Sequence, residues 1–192
     1  MNETNLYKAA WALVQAMDKT VDKSLPKEIA EIVKFHSKAA AVSGVAGGWI
    51  PGVGSILAVI AGGGFVWSMY VRINNKIELP FSENVIKTVA SGIVTNLAAG
   101  VIGGLVMSTA LSFLPGIGNV GASVVVGGIC YAVTLTAGFV YLKTLTIIFK
   151  GKADPTTLTA EDLKGIAKSV VENEDIKSVM KEAKKEYVAS EK

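Results

Sequence analysis

The chain has one cysteine, Cys130, and one histidine, His36. A single thiol cannot close an internal disulfide, so nothing points to an oxidising compartment, and Cys130 reads as a small core residue. A single histidine leaves no histidine cluster for a metal site or a catalytic triad. His36 lies close to Lys34 and Lys38, which reads as a solvated position. Charge is scarce: Asp, Glu, Lys and Arg make up 18% of the residues, against about 25% in soluble domains. The net charge of +3 is spread thinly. Residues 1–38 carry six Lys and five acids, residues 39–150 five bases and two acids, and residues 151–192 eight Lys and nine acids. No segment is a basic arm, so a nucleic-acid partner has no electrostatic footprint. Residues 1–22 lack the basic start and compact apolar stretch of a signal peptide. These absences together predict no catalytic constellation, no cofactor and no enzyme.

The longest absence is of charge. From Thr88 to Leu142 no side chain is charged, and only Pro115-Gly116 breaks the run. A membrane-crossing helix needs about 20 apolar residues, so the run has the length of two spans and a turn. A second uncharged stretch, Ala39 to Val71, is divided by Pro51-Gly52. Its second part is span-length. Its first part is short and would borrow the helical turns before it, with Lys34 and Lys38 reaching back to the surface, or residues 28–50 would lie in the interface. The expected fold is all-α: a helical membrane protein with up to four apolar helices and amphipathic helices at both ends.

Three regions follow. In residues 1–27, Leu6, Ala10, Leu13, Met17 and Val21 recur at helical spacing, and Ser24 and Pro26 mark a break. Residues 28–150 form the apolar domain. Its first helix begins near Lys27 and carries Ile29, Ile32, Val33 and Phe35. A watery loop spans Arg72 to Lys87, with Ser82-Glu83 as a helix start. A third helix then runs to Phe113 and a fourth from about Val120 to Phe149. In residues 151–192, a polar linker leads to Thr159-Ala160-Glu161-Asp162, a hydroxyl followed three residues later by an acid, which is a capping signature. The stripes Leu163, Ile166, Ala167, Val170 and Ile176, Val179, Met180, Ala183, Tyr187 predict soluble amphipathic helices.

Trp49-Ile50-Pro51-Gly52-Val53-Gly54-Ser55 recurs later in the chain as Phe113-Leu114-Pro115-Gly116-Ile117-Gly118-Asn119. The repeat predicts two helix–turn–helix hairpins in parallel orientation, with Pro51, Gly52, Gly54, Pro115, Gly116 and Gly118 making the turns. Gly116 to Gly121 also spells a dinucleotide fingerprint. It lacks the preceding strand and the acid about 20 residues on, so no nucleotide is expected. Gly44, Gly48, Gly63, Gly64, Gly100, Gly104, Gly127 and Gly128 suit close helix packing in lipid, within one chain or between copies. Asn96 is the most polar position of the long run and suits an interhelical hydrogen bond. Trp49, Trp67, Tyr70 and Phe113 suit either interfacial or core positions.

The segment Leu114-Pro115-Gly116-Ile117-Gly118, leading through Thr134-Leu135-Thr136-Ala137-Gly138 to Val140-Tyr141-Leu142, resembles the YcjF-type family of bacterial inner-membrane proteins over about residues 40–150. The resemblance implies a membrane-associated helical domain of a kind often joined to, or encoded beside, a small GTPase. This chain carries no GTPase, so any such partner would be another polypeptide. The expected function is a membrane-embedded structural or interaction protein, self-associating, that recruits a cytoplasmic partner through its amphipathic ends. Two alternatives stay open: a pore-forming effector or toxin that inserts apolar hairpins, and a soluble oligomer with a very apolar core. The bilayer is the expected first partner. The distribution of Lys and Arg puts both termini on the cytoplasmic side of the inner membrane.

Overall fold

The computed structural model describes residues 18–19, 21–23, 25–47, 54–99, 122–151, 154 and 157–172. Side-chain surroundings are given for these except at 45–47, 54–63, 95–99, 122–126 and 128–129. Every extended element among them is an α-helix: α1 (Lys27–Gly47), α2 (Gly54–Lys76), α3 (Glu83–Ala99), α4 (Ala122–Lys150) and α5 (Ala160–Glu172). A further helical segment precedes α1 around Asp18 and Val21. The all-α expectation holds. The expected hairpin turns, including Pro51, Gly52, Pro115, Gly116 and Gly118, lie outside the described residues, as do Gly48, Gly100 and Gly104.

Local chemistry sets the helix ends. The carbonyl of Pro26 takes the first bond of α1, from the Ala30 amide at 2.9 Å. At the start of α3 the Ser82 hydroxyl accepts from the Val85 amide at 3.4 Å, with Glu83 in the first turn. Thr159 caps α5 as its spacing suggests. Its hydroxyl accepts from the Asp162 amide at 3.2 Å, and the Asp162 carboxylate accepts from the Thr159 amide at 2.9 Å. α2 ends at Lys76 with the Leu79 amide bonded to the Asn74 carbonyl at 3.0 Å and Glu78 in the left-handed region at φ 53°. The connection after α2 is therefore residues 77–82. This is shorter than the 72–87 loop expected, because Arg72 and Lys76 continue the helix.

α1 packs on α2 and α4, α2 also on α3 and α4, and α5 on α3 and α4. Directions follow from side-chain pairs. Lys76 pairs with Glu28, and His36 faces Ser68 two turns farther along, so α1 and α2 are antiparallel. The Tyr70 hydroxyl donates to the Ala137 carbonyl at 2.8 Å, and Tyr141 donates to Asn74, so α2 and α4 run the same way. Val33, Met69, Tyr70, Ile73, Ile93, Leu135, Val140 and Tyr141 are each at most 1% exposed and form the centre of one core. Each such large side chain contributes up to about 1.5–3 kcal/mol by burial. Gly138 lets α4 sit close against α1: a Cβ there would lie 3.1 Å from Val33 Cγ1.

Only one described segment, Cys130–Lys150 in α4, is long and apolar enough to cross a membrane, and about two thirds of its apolar stretch is buried inside the chain. The expectation of four apolar helices is thus met among the described residues by one such segment, surrounded by helices that carry charges.

Candidate functional site

The register places charge at one end of the bundle. α1 carries Lys27, Glu28, Glu31, Lys34 and Lys38 by its twelfth residue and no charge afterwards. α2 has none until Arg72 and Lys76, and α4 none until Lys143 and Lys150. α3 has Glu83 and Lys87 in its first turns and none afterwards. α1 and α2 are antiparallel, α3 returns after a short connection, and α4 runs beside α2 in the same direction. All four helices therefore bring their charged ends together and send their uncharged ends the opposite way. This polarity is the most distinctive feature of the molecule.

The N-terminal segment is fastened along α1 and α4 by polar groups. Asp18 accepts a hydrogen bond from the buried Tyr131 hydroxyl at 2.6 Å and pairs with Lys38 at 2.6 Å. One turn on, Asp22 pairs with Lys34, also at 2.6 Å. Val21 is fully buried between these two links. The carboxylate of Asp18 is 17% exposed, so it sits where a hydroxyl on α4 and an ammonium on α1 can both reach it.

Inside the charged half, polar side chains tie the helices together. The rings of Tyr70 and Tyr141 stack with centroids 4.0 Å apart and planes 11° from parallel, each hydroxyl bonded across the α2–α4 seam. Tyr70, offered by sequence as either interfacial or core, is core. Ser37, Thr136 and Thr144, all buried, donate to carbonyls one turn back in their own helices.

His36 corrects the sequence reading. It is 3% exposed rather than solvated. Its Nδ1–H donates to the Ile32 carbonyl at 2.8 Å, which leaves Nε2 to accept from the Ser68 hydroxyl at 3.3 Å. Phe35 meets its ring edge-on, and Arg72 lies over the outer Phe35 ring, 5.2 Å from the centroid. Burial holds the His36 pKa below its ordinary value, opposed by the Ile32 bond and assisted by the positive Arg72. The signal was present in the sequence: Ile29, Val33, His36 and Ala40 follow one another at three or four residues.

The glycines divide. Gly44 and Gly127 are buried within their helices. Gly64 is exposed, with nothing within 4 Å of a Cβ built there. Gly54, Gly63 and Gly128 lie on helical backbone, as does Asn96 in α3. Their surroundings are outside the described set. Sequence reasoning missed Gly92 and Gly138, whose close contacts are with Lys164 and with Val33 and Met69.

α5 buries Leu163, Ala167, Val170 and Val171, close to the stripe expected from sequence. At Gly92 the stem of Lys164 lies flat against α3, with its Cγ 3.1 Å from where a Cβ would be. The polar contacts of α5 are local: Thr159 with Asp162, Ser169 with the Ile166 carbonyl, and Lys168 with Glu172. Among the described residues, α5 is held to the bundle by apolar contact alone.

No group of acids, histidine and cysteine that could hold a metal occurs among the described residues. No protein-family model matches the chain, and neither a curated protein nor a solved structure matches it.

Proposed function

We propose that the chain is a membrane-attached structural and interaction protein. Its charged, polar-fastened half forms a head in water, and the uncharged ends of α1 to α4, with the segments that join them, enter the bilayer. The observation that carries this reading is the shared polarity of the four long helices. A water-soluble bundle has no need to keep both ends of its connections free of charge, whereas acyl chains exclude charge at a cost of several kcal/mol per group. On this reading both chain termini lie on the head side, the cytoplasmic face of the inner membrane. Copies of the chain associate through small-residue faces such as the open surface at Gly64. The resemblance to the YcjF-type family adds a GTPase, on another polypeptide, as the partner of the head.

Fractionation tests it. The protein is expected in the membrane pellet and in the floating layer of a vesicle gradient. Full recovery in the supernatant after cell breakage, as a monodisperse oligomer without detergent, would replace it with the second reading, a soluble oligomer with a very apolar core. That reading is favoured by one observation: the single described span-length segment, Cys130–Lys150, is mostly buried by its own chain.

A further inference from the structure

We propose that α5 is an exchangeable cover on α3 and α4, and that the acyl chains of a bilayer take its place when the protein embeds fully. The inference rests on the membrane reading above and adds a second lipid-contacting surface to it.

α5 packs on α3 and α4, the two helices that bound the uncharged run from Thr88 to Leu142. That run has the length of two spans, yet in this structure a polar-faced helix lies beside it at Gly92. Lys164, beside Gly92 within that run, would be carried into hydrocarbon if the whole run crossed a bilayer with α5 in place. Full embedding of the run, beyond the uncharged ends alone, therefore requires α5 to leave.

The attachment of α5 is of the kind that lipid can replace. Leu163, Ala167, Val170 and Val171 touch apolar surface, and Lys164 contributes its methylene stem. In water such contact is favoured strongly. Beside acyl chains it has no advantage, because lipid tails are as apolar as Leu. A hydrogen bond or ion pair to the bundle would resist this exchange, and among the described residues α5 makes none. The start of the helix is also closed by its own residues. Its N-terminus is satisfied by Thr159 and Asp162, acids occupy the first turn, and a polar stretch of sequence at 151–157 precedes it. Detachment therefore leaves the N-terminal cap of α5 intact.

A reversible bridge tests the exchange. The Cγ of Lys164 stands where a cysteine sulfur would be, 3.1 Å from a Cβ at position 92. The variant Gly92→Cys, Lys164→Cys, Cys130→Ser should therefore oxidise without moving the backbone. Vesicles of phosphatidylcholine and phosphatidylglycerol supply the bilayer. Oxidised protein is expected to float with the vesicles but to be released by alkaline carbonate. Reduction before mixing should raise the carbonate-resistant fraction severalfold. Equal resistance, or equal release, of floating oxidised and reduced protein would overturn the exchange and leave the membrane reading intact. Failure of both forms to float would overturn the membrane reading itself. If the bridge does not form, Ala167→Glu, which puts a carboxylate into the buried face of α5, is expected to raise the carbonate-resistant fraction of unbridged protein. Faster amide exchange in α5 without that rise would count against the proposal.

Discussion

The two ends of the chain cover the same bundle in different ways. The N-terminal segment lies against α1 and α4 and is fastened by Asp18 to Tyr131 and Lys38 and by Asp22 to Lys34. α5 lies against α3 and α4 and is held by Leu163, Ala167, Val170 and Val171. Both are amphipathic in sequence; the N-terminal segment buries Val21, and α5 buries its apolar stripe. Their fastenings respond to different solvents. A charge-assisted bond to a buried hydroxyl strengthens as water and polarity are withdrawn. An apolar contact loses its driving force when the surroundings become apolar. The N-terminal cover is thus the permanent one, and the C-terminal cover is conditional.

The largest expected effect tests the permanence of the first. Asp18→Ala removes a charged acceptor and leaves the Tyr131 hydroxyl, on a fully buried side chain, without that bond. Stability should fall by about 2–3 kcal/mol, read as a lower denaturation midpoint at unchanged slope. Tyr131→Phe in the same background should recover part of it, since both partners of the bond are then gone. A loss below about 0.5 kcal/mol would place the segment on the same footing as α5.

Next comes α5 itself. Leu163→Ala, at a position 1% exposed, would cost about 2–5 kcal/mol in a core that unfolds as one unit. If α5 opens separately, the penalty is limited to its own docking energy. Amide exchange should then show α5 opening at a free energy below the global value, lowered further by Leu163→Ala, with the amides of α1 and α4 unchanged. Protection of α5 equal to that of α4 would remove the distinction.

A weaker effect is set by pH, and it separates the two regions by window. The pKa of His36 is lowered on folding. A neutral imidazole is therefore favoured in the fold, and its contribution is fully present above about pH 6.5, the value of the free side chain. It is lost as pH falls from there towards the folded value. The charge that acts on it is Arg72 on α2, beyond Phe35, while Lys34 and Lys38 on α1 are turned to Asp22 and Asp18 of the N-terminal segment. Among the described residues no acid is bonded to His36 to hold its proton. The pKa of Asp162 is also lowered, through its bonds to Thr159. The stability this carboxylate gives α5 is present above about pH 4 and fades as pH falls through its folded value. Acidification should loosen α1 from α2 first and the α5 cap later. His36→Gln should flatten the first phase of a stability-against-pH curve and leave the second. A first phase that survives in this variant would assign it to another group.

What the sequence disclosed follows the same division between near and far. Caps at Ser82 and Thr159, the start of α1 after Pro26, and the stripe of α5 were legible because each rests on residues three or four apart. The link from Asp18 to Tyr131 crosses more than half the chain, and no local pattern announces it. Tyr70 stacks on Tyr141, and both hydroxyls bond across the same seam. The repeated Pro51-Gly52 and Pro115-Gly116 are closer together along the chain than these two tyrosines, so the repeat does not give the packing register. His36 was misread because its lysine neighbours weighed more than its spacing from Val33 and Ala40. Those lysines are turned to Asp18 and Asp22, which only the fold reveals.

The smallest effect is also the most selective. Thr159→Ala removes the hydroxyl that accepts from the Asp162 amide, and N-cap losses of this kind run to about 1 kcal/mol. In a cooperative molecule that loss would appear in the global denaturation midpoint. Where α5 is a conditional cover, it should appear only in α5. Exchange of α5 amides should quicken about fivefold, the equivalent of about 1 kcal/mol, while the midpoint followed by the tyrosines of the α2–α4 seam stays where it was. Because the N-terminal fastening shares no residue with this cap, combining Thr159→Ala with Asp18→Ala should give additive losses. A coupling above about 0.5 kcal/mol between them would show that the two covers open together, and would put the α5 contact under the control of the other end of the chain.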